Sequence, residues 1–495
     1  MRMAATQVSK SAEVRKHLTH PVIDSDGHTV EFEPGVMDYL RKVGGAGIVE
    51  RYKNERTKGM MSGLGGMLNW HRLSPDQRRD QRVTVPPWWA LPAKNTLDRV
   101  TAMLPRLMYE RLDDIGLDVT IVYPTFGLLA PHLDDEEIRR AACRAFNSYH
   151  ADVFREYSDR IIPVAVIPMH TPQEAIEELD YAVTTLGMKA VMLAGHVLRP
   201  VPHVARTAPE VAKYAYWLDT FCLESEYDYD PVWAKCVELN VAPTFHSAGM
   251  GWGHRTSIST YMYNHIGHFA EAGEALCKAL FFSGVTKRFP TLKVAFLEGG
   301  VSTGARLYAD LIARWKKRNP EAIENYNPAN LNMEMVVDLC RRYGGRVTEG
   351  KLEQLSTASG TTINTKAAPG NTNDFARSGV SKEEDIRDLF VPHFYFGCEA
   401  DDPMNAIAFN TKVNPFGQKI KAVFSSDIGH WDVPDMTEVT EEAYELVEHG
   451  VITEDDFRDF VFTNPTTLWT GMNPNFFKGT VVEQSVSRLV TNGGH

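Results

Sequence analysis

Residues 21–28 read PVIDSDGH, a short apolar run that ends in acidic and histidine side chains. A run of this kind, followed by a helix-like stretch, recurs along the chain, and the repeat is typical of βα units around a parallel sheet. The further runs are VTIVYPT (119–125), IIPVAVIPM (161–169), AVMLAG (190–195), VAPTFHS (241–247), LKVAFLEGG (292–300), HFYFGCE (393–399) and AVFSSD (422–427). The sequence therefore predicts eight strands.

The segments between these runs carry helix start and stop signals. In residues 171–187, Thr171 and Pro172 suit an N-cap and a first helical position, and Gly187 suits a C-terminal stop. Residues 230–240 have the same pattern. Strands that alternate with helices predict an α/β fold, a (β/α)8 TIM barrel, in which functional side chains gather at the C-terminal ends of the strands.

One enlarged barrel can account for the length of 495 residues. We predict an N-terminal extension at 1–20, a barrel at 21–475 and a C-terminal tail at 476–495. Two stretches exceed a minimal barrel and are interpreted as insertions near its mouth, at about 33–110 and 318–390. The second is rich in Asn, Gly, Ser and Thr, and we expect a long loop there.

Composition excludes several classes of protein. The chain is 43% hydrophobic and 23% charged, as in a folded globular protein. Its net charge of -12, without a basic block, argues against nucleic acid as a partner. The sequence contains no run of about 18 apolar residues, which a membrane-spanning helix would need. The N-terminal segment lacks the apolar core of a secretory signal. We therefore expect a cytoplasmic protein.

The first predicted strand carries Asp24, Asp26 and His28. These residues alternate along the strand, so their side chains point to one side, which at a barrel mouth can be the interior. The pattern predicts two metal ligands and a supporting carboxylate. A turn with a capping aspartate is the alternative.

Three other predicted strands end in a histidine or an acid. His246 follows an apolar run, where a buried core histidine is the alternative. Glu298 also ends an apolar run, and a carboxylate is costly to bury unless it is paired or bound to a cation. Asp427 ends the last run, with His430 and Asp432 after it, and an Asx-turn or helix cap is the alternative there. One metal site explains these strand ends together.

Further side chains extend the candidate set. His196 follows the fourth predicted strand, and His265 and His268 lie after the fifth, with surface or supporting positions as alternatives. Arg255 can bind a substrate carboxylate through its planar guanidinium, although a surface arginine is the alternative. Aromatic residues near strand ends or in the first insertion predict an apolar or aromatic organic acid, amide or lactone as substrate, with ordinary packing as the alternative. These are Trp88, Trp89, Phe126, Trp252 and Trp431.

In order, VIDSDGH, GLDVTIVYPT, PTFHSAG, KRFPTLKVAFLEGG and FSSDIGHWD resemble the amidohydrolase superfamily, in particular the branch similar to aminocarboxymuconate semialdehyde decarboxylase. The resemblance runs from about residue 20 to about residue 475. It implies a metal at the barrel mouth, held by an H-x-H pair on strand one, a His after strand five, often a His after strand six, and an Asp after strand eight. By position, the implied ligands are Asp26, His28, His246, Glu298 and Asp427.

The sequence departs from the family pattern at two of these positions. Asp26 and Glu298 stand where the family has histidines, and both changes add negative charge and oxygen ligands. A mixed set of imidazoles and carboxylates suits zinc, manganese or iron. We therefore expect one or two divalent ions per chain.

The leading hypothesis is a metal-dependent enzyme that hydrolyses or nonoxidatively decarboxylates a small-molecule substrate, through a metal-activated water or a metal-bound carboxylate. Asp427, Glu298 and His430 are its predicted catalytic groups. A nonhaem diiron monooxygenase on the same barrel is the alternative, because the carboxylates and histidines can also hold two irons. A metal-free binding protein is a third possibility. The resemblance also implies a homodimer.

Overall fold

The computed structural model describes residues 8–55, 70–85, 91–249, 256–355 and 372–491. The strands, numbered in chain order, are β1 (Ile23–Thr29), β2 (Val119–Pro124), β3 (Ile161–Ile167), β4 (Ala190–Leu193), β5 (Val197–Pro200), β6 (Tyr216–Asp219), β7 (Pro243–Phe245), β8 (Val294–Phe296), β9 (Phe394–Cys398) and β10 (Lys421–Phe424). The main sheet has eight strands in the order β1-β2-β3-β4-β7-β8-β9-β10, and its paired strands are parallel. Strands β5 and β6 form a separate antiparallel pair.

Backbone hydrogen bonds join β1 to the segment that follows β10. Asp427 N donates to Asp26 O at 3.0 Å, and His28 N donates to Ile428 O at 2.9 Å. Because the first strand meets the last, the sheet closes into a barrel. The predicted α/β (β/α)8 barrel and each of its eight predicted strands are therefore confirmed.

Helices surround the barrel. The α-helices of the described residues, numbered α1 to α21 in chain order, are Lys10–His17, Glu33–Glu55, Pro75–Gln81, Thr96–Thr101, Pro105–Ile115, Glu136–Val153, Pro172–Asp180, Pro202–Thr207, Asp230–Glu238, Tyr261–His265, His268–Phe282, Val285–Arg288, Val301–Arg318, Met333–Tyr343, Gly345–Thr348, Glu383–Phe390, Ala406–Phe409, Val439–Glu448, Glu454–Arg458, Asn464–Thr470 and Glu483–Thr491. Helix α2 is kinked at Gly45, whose φ is 78°. Within the described parts of the chain, no helix combines the length and apolarity that crossing a membrane would require.

Helix α6 illustrates how the helices pack on the sheet. It buries Ile138, Ala142 and Phe146 and contacts β3. Burial of side chains of the size of Ile or Phe contributes about 1.5 to 3 kcal/mol each. The Asn147 side chain accepts a hydrogen bond from Val166 N at 2.7 Å and donates to Val166 O at 3.0 Å. This helix is therefore fixed to the barrel by both apolar and polar contacts.

The two predicted insertions contain helices. The range 33–110 includes α2, α3 and α4 and ends inside α5. The range 318–390 includes α14, α15 and α16, so the expected long loop is wrong for the described part of this range. At the start of helix α14, the side chain of Asn332 accepts a hydrogen bond from Met335 N at 2.9 Å and caps the helix. The polar composition of this range had indicated a loop. The domain boundaries themselves stay predictions.

Candidate metal centre

Strand β1 carries a bulge, because its register against β2 shifts between Asp24 and Gly27. Asp24 Oδ2 accepts from Thr120 Oγ1 at 2.6 Å and from Ser426 Oγ at 2.8 Å. A Cβ on Gly27 would lie 2.6 Å from both Asp24 Oδ2 and Thr120 Oγ1, so this close approach requires glycine. Asp24 therefore links β1 to β2 and to the segment after β10, and it supports the bulged strand.

His28 and His246 face each other in the barrel mouth, with their Nε2 atoms 3.1 Å apart. Asp26 Oδ1 lies 3.6 Å from His28 Nε2, and Asp26 Oδ2 lies 3.6 Å from His246 Nε2. These three side chains are fully buried, and neither oxygen of Asp26 accepts a hydrogen bond from the described residues. Ligand atoms bound about 2.1 Å from one ion lie roughly 3 to 3.5 Å apart. The spacing therefore fits a shared cation.

Glu298 and Asp427 complete this cluster. Glu298 Oε2 is 3.0 Å from His246 Nε2, and Asp427 Oδ1 is 3.4 Å from His28 Nε2. His28, Glu298, Asp427 and His430 can place ligand atoms within 4.8 Å of one another, as can Asp26, His28 and His246. The structure therefore brings together the five ligands that the resemblance implied.

The backbone is left-handed at Glu298, with φ 56°, and at Asp427, with φ 49°. Residues other than glycine rarely adopt this conformation, which costs on the order of 1 to 3 kcal/mol and persists where the surroundings impose it. Each residue lies just beyond a barrel strand, β8 or β10. The chain thus keeps a strained turn at two positions whose carboxylates reach the cluster.

Burial strongly affects the titration of this cluster. It raises the pKa of Asp26 well above its usual value, and the carboxylates of Glu298 and Asp427 raise it further, although His246 opposes them. Burial likewise raises the pKa of Glu298 and Asp427 and lowers that of His28 and His246. Buried carboxylates beside neutral imidazoles form a donor set that a divalent cation stabilises. The residues therefore fit a divalent metal ion.

His430 joins the cluster to β2. Its Nδ1 lies 2.7 Å from Asp427 Oδ1, and its Nε2 lies 3.2 Å from Thr125 Oγ1. Its ring stacks on that of His28, with centroids 3.8 Å apart. Burial lowers the pKa of His430 to about 4, so its imidazole is neutral near pH 7. Sequence reasoning missed Thr125, whose one signal was its place at the end of an apolar run.

A further group of ligand atoms within 4.8 Å comprises His265, Glu298 and Asp432. Burial, with the Asp427 carboxylate, raises the pKa of Asp432 to about 8. Nearby, burial and then Asp432 raise the pKa of Glu399, directly after β9, to about 7. Sequence reasoning missed Glu399, although the rule that identified Glu298, an acid at the end of an apolar run, applies to it equally.

Other predicted residues lie apart from these groups. His196 joins none of the ligand groups formed by the described residues, and its ring lies 5.1 Å from that of His132. The ring of His268 lies 4.7 Å from that of His265, outside the ligand groups of the described chain. The predicted substrate residues Trp88, Trp89, Trp252 and Arg255 fall outside the described residues.

Aromatic rings border the cluster on one side. The ring of Phe269 lies 4.8 Å from that of His246, edge to face. The ring of Trp431 lies 5.2 Å from that of His265 and 6.1 Å from that of Tyr261. These rings give one side of the site an aromatic, largely apolar surface.

Comparisons with known proteins show similarity to one protein family. The family model described as Amidohydrolase matches residues 87–324. A 2-amino-3-carboxymuconate-6-semialdehyde decarboxylase of Dictyostelium discoideum is 24% identical over 191 residues, which are 38% of this chain and 45% of that protein. The decarboxylase orsB of Emericella nidulans is 29% identical over 164 residues, 31% of this chain and 43% of that protein. The chain thus spans less than half the length of these curated relatives.

A solved amidohydrolase of Mycobacterium avium subsp. paratuberculosis K-10 has a TM-score of 0.49 and 18% identity, with 91% of this chain and 100% of that chain covered. Within this chain, the family match includes His246 and Glu298, whereas Asp26 and His28 on β1 and Asp427 after β10 lie outside it. The match to the family model confirms that this chain resembles the amidohydrolase superfamily, as its strand-end motifs indicated.

Proposed function

We propose that this protein is a divalent-metal-dependent enzyme that removes carbon dioxide, without oxidation, from an aromatic or otherwise unsaturated organic acid. The observation that carries the proposal is the buried cluster in which His28 and His246 face each other 3.1 Å apart beside Asp26. The two curated relatives named above are decarboxylases, which supports decarboxylation over hydrolysis. Neither is named as an oxygenase, so the diiron alternative receives no support.

The residues that would hold the ion are Asp26, His28, His246 and Asp427, whose ligand atoms meet in the barrel mouth. When bound, a divalent ion supplies a Lewis acid that fixes a substrate carboxylate and a neighbouring oxygen. The mixture of imidazole and carboxylate ligands suits manganese or zinc. By fixing the position of the ion, these four residues would set the orientation of the reacting carboxylate.

Glu298 is the group that we assign to proton transfer. In decarboxylation, the bond from carbon to the carboxylate breaks, its electron pair stays on that carbon, carbon dioxide leaves, and a proton adds to the carbon. Glu298 belongs to two of the ligand groups, so its carboxyl lies between the main cluster and Asp432. A carboxyl in this position can deliver a proton to the carbon and recover one from the mouth.

His430 lies between Asp427 and Thr125 beside the site. His430 Nδ1 lies 2.7 Å from Asp427 Oδ1, and His430 Nε2 is hydrogen-bonded to the Thr125 hydroxyl at 3.2 Å. The hydrogen bond to Thr125 and the stacking on His28 fix the position of the His430 ring. Phe269, whose ring lies against His246, and Trp431, whose ring lies against His265, would limit the access of water and favour a planar substrate.

The test is a decarboxylation screen with manganese-loaded protein. We expect carbon dioxide release from at least one hydroxybenzoate or benzenedicarboxylate, with one deuterium incorporated at the reacting carbon when the solvent is D2O. His246→Gln and metal-stripped protein should be inactive, whereas Asp455→Asn, a change on an exposed first turn of α19, should keep full activity. Hydrolysis of amides or lactones without carbon dioxide release, or oxygen consumption, would contradict the proposal.

A further inference from the structure

Helix α14 (Met333–Tyr343) lies in the second insertion and buries none of its residues. Among the helices of the described residues that bury no side chain it is the longest, with 11 residues against 7 in α3. Its main neighbours among the regular elements are α15 and the turn Leu352–Gln354, both in the same insertion. A helix of about 12 residues or fewer is marginal in water unless an apolar face packs on another surface. A further surface would therefore stabilise α14.

An apolar series runs along the exposed side of this helix. Large apolar side chains recur at every fourth residue, and they are Leu331, Met335, Leu339, Tyr343 and Val347. Their exposed fractions are 44%, 59%, 45%, 74% and 80%. Residues four apart lie on one face of a helix, so the middle three share a face of α14 and the outer two continue the spacing in the flanking segments. We call these five residues the apolar stripe.

Such a stripe differs from ordinary surface exposure. Single apolar residues are common on protein surfaces, whereas a contiguous series of this size is typical of an interface with another protein. The opposite face of α14 already contacts the rest of the chain, because Met333, Val337 and Cys340 are half-buried. The stripe is therefore the face of the helix that remains for a partner.

The charged residues of α14 are divided between its two ends. Glu334 and Asp338 lie in the first half, and Arg341 and Arg342 lie in the second. At about 100° per residue, these four side chains fall on one flank of the stripe. Asp338 and Arg342 lie 3.3 Å apart within the helix, but both side chains are more than half exposed. An exposed pair of this kind contributes little, so its charges remain available to a partner.

This order of charges selects the kind of partner. In an antiparallel pair of two such helices, the acidic half of each faces the basic half of the other. A two-fold axis then relates the copies, and each favourable contact occurs twice. The two helix dipoles also run in opposite directions, which adds attraction. A parallel pair would instead place like charges side by side, so the charges favour a second copy in antiparallel orientation.

The surface belongs to the insertion of this chain. The family match ends at residue 324, before α14 begins. The five candidate metal ligands, Asp26, His28, His246, Glu298 and Asp427, also lie outside the insertion. Changes to the stripe should therefore leave the metal centre intact.

The area of the stripe fits a weak dimer. Side chains of this kind at these exposed fractions contribute roughly 100 Å² each, so two stripes bury on the order of 1,000 Å² in total. That area lies at the lower limit of specific interfaces. We therefore expect a dissociation constant on the order of 1 µM to 10 µM.

We infer that α14 and its flanking residues form a homodimer interface, in which the apolar stripes of two copies pack against each other in antiparallel orientation. The acidic half of each helix lies against the basic half of the other. This inference is independent of the reaction proposed above, because it concerns a surface outside the barrel mouth.

The test is sedimentation velocity of the full chain at concentrations from about 0.5 µM to about 100 µM, which span the expected dissociation constant. The sedimenting mass of the wild type should rise from that of one chain to that of two. Leu339→Glu places a carboxylate at the middle of the stripe, next to its own copy, and should raise the dissociation constant at least about 100-fold.

Tyr343→Glu is a second variant of the stripe and should act in the same direction. The matched control is Leu97→Glu on α4, where the leucine is 53% exposed outside the insertion, and this variant should dimerise like the wild type. Circular dichroism checks that each variant keeps the fold of the wild type, which the exposure of these side chains favours.

A charge exchange tests the orientation and the partner. Arg341→Glu with Arg342→Glu makes the helix acidic throughout, and Glu334→Arg with Asp338→Arg makes it basic throughout. Each double variant alone should dissociate, because like charges then face each other, and an equal mixture of the two should form heterodimers.

A wild type that stays monomeric up to about 100 µM would overturn the inference and leave the stripe to another occupant. A dimer that Leu339→Glu and Tyr343→Glu both leave intact would place the interface elsewhere and would also overturn it. Equal dissociation in the Leu97→Glu control, or a mixture of the two charge variants that stays monomeric, would have the same consequence.

Discussion

The two sides of the barrel mouth bury titratable side chains in opposite ways. On β1 and just after β7, β8 and β10, carboxylates face histidine nitrogens at distances from 3.0 Å to 3.6 Å. After β2, β3 and β4 the chain carries the imidazoles of His132, His170 and His196, and the neighbouring acids Glu174 and Asp219 already pair with arginines. The first side needs a cation from solution, whereas protein groups complete the second.

Burial alone does not distinguish a metal-binding histidine from another buried histidine. Histidines on both sides have lowered pKa values because of burial, so titration does not separate ligand from non-ligand. The side chains that contact the histidines do distinguish the two kinds. His28 and His246 lie beside Asp26, whose carboxylate accepts no hydrogen bond from the described residues, whereas His132 lies beside the Ser247 hydroxyl.

The largest effect that tests the comparison is loss of the metal. His246→Gln should lower manganese affinity by at least about 1,000-fold, more than the 10- to 100-fold cost of losing a supporting partner, because it removes a direct ligand. Metal content per chain, measured by inductively coupled plasma mass spectrometry after dialysis, gives the result. His170→Phe is the matched change on the other side and should keep the metal. An equal loss of manganese in both variants would contradict the assignment of the metal to only one side of the barrel mouth.

Glu31 offers a test of a buried carboxylate outside both sides. It accepts from Phe126 N at 2.9 Å and Gly127 N at 3.0 Å, and its Oε1 lies 3.6 Å from His150 Nε2. Burial raises its pKa from 4.5 to about 7. The folded state therefore keeps a proton that the unfolded state loses, so stability falls as pH rises from 4.5 to about 7.

Glu31→Gln removes this dependence. At 1.36 kcal/mol per pKa unit, the free energy of unfolding of the variant relative to the wild type should rise by roughly 3 kcal/mol between pH 4.5 and pH 8. Urea unfolding at both pH values measures the change, and the exposed Glu13→Gln is the control. A difference that stays constant with pH would show that Glu31 is ionised in the folded protein at pH 4.5.

Asp26→Asn should have opposite effects with and without metal. In metal-free protein it removes a buried carboxylate beside Glu298 and Asp427, so stability should rise by on the order of 1 to 2 kcal/mol. With excess manganese, the same variant should gain less stability from the ion than the wild type does, because it lacks a ligand. Thermal unfolding with EDTA and with manganese measures both. Destabilisation of the metal-free protein would contradict the view that this side lacks a cation.

The smallest expected effect concerns Thr125. Thr125→Val keeps the shape but removes the hydroxyl that bonds His430 Nε2, at a cost of about 1 kcal/mol in stability. Nitrogen-15 NMR of the His430 ring should show its tautomer becoming mixed, and Thr125→Ser should restore the Nδ1–H form. An unchanged tautomer in the valine variant would mean that Asp427 alone orients this ring.

The barrel could be predicted from the sequence because each buried strand is an apolar run with polar residues at its end. The same rule located Asp26, His28, His246, Glu298 and Asp427, which the structure brings together. The homodimer and the cytoplasmic location stay predictions.

Other features depend on contacts that no local pattern encodes. The hydrogen bond of Thr125 to His430 joins residues 305 apart in the chain. The left-handed backbone at Glu298 and Asp427 follows from the turns around them and not from glycine, the residue that usually signals it. Helix α14 was not predicted because the polar composition of its range indicated a loop, although Asn332 is a typical N-cap residue.

The seam between β1 and β10 has a consequence for how the protein matures. The backbone bond from Asp427 N to Asp26 O joins the first barrel strand to the last. During synthesis, β1 emerges long before β10. The edge of β1 that carries Asp26 and His28 therefore stays unpaired until almost the whole barrel has been made. The complete ligand set therefore forms only after β10 has met β1, and an ion held by Asp26, His28 and Asp427 would join the two ends of the barrel wall.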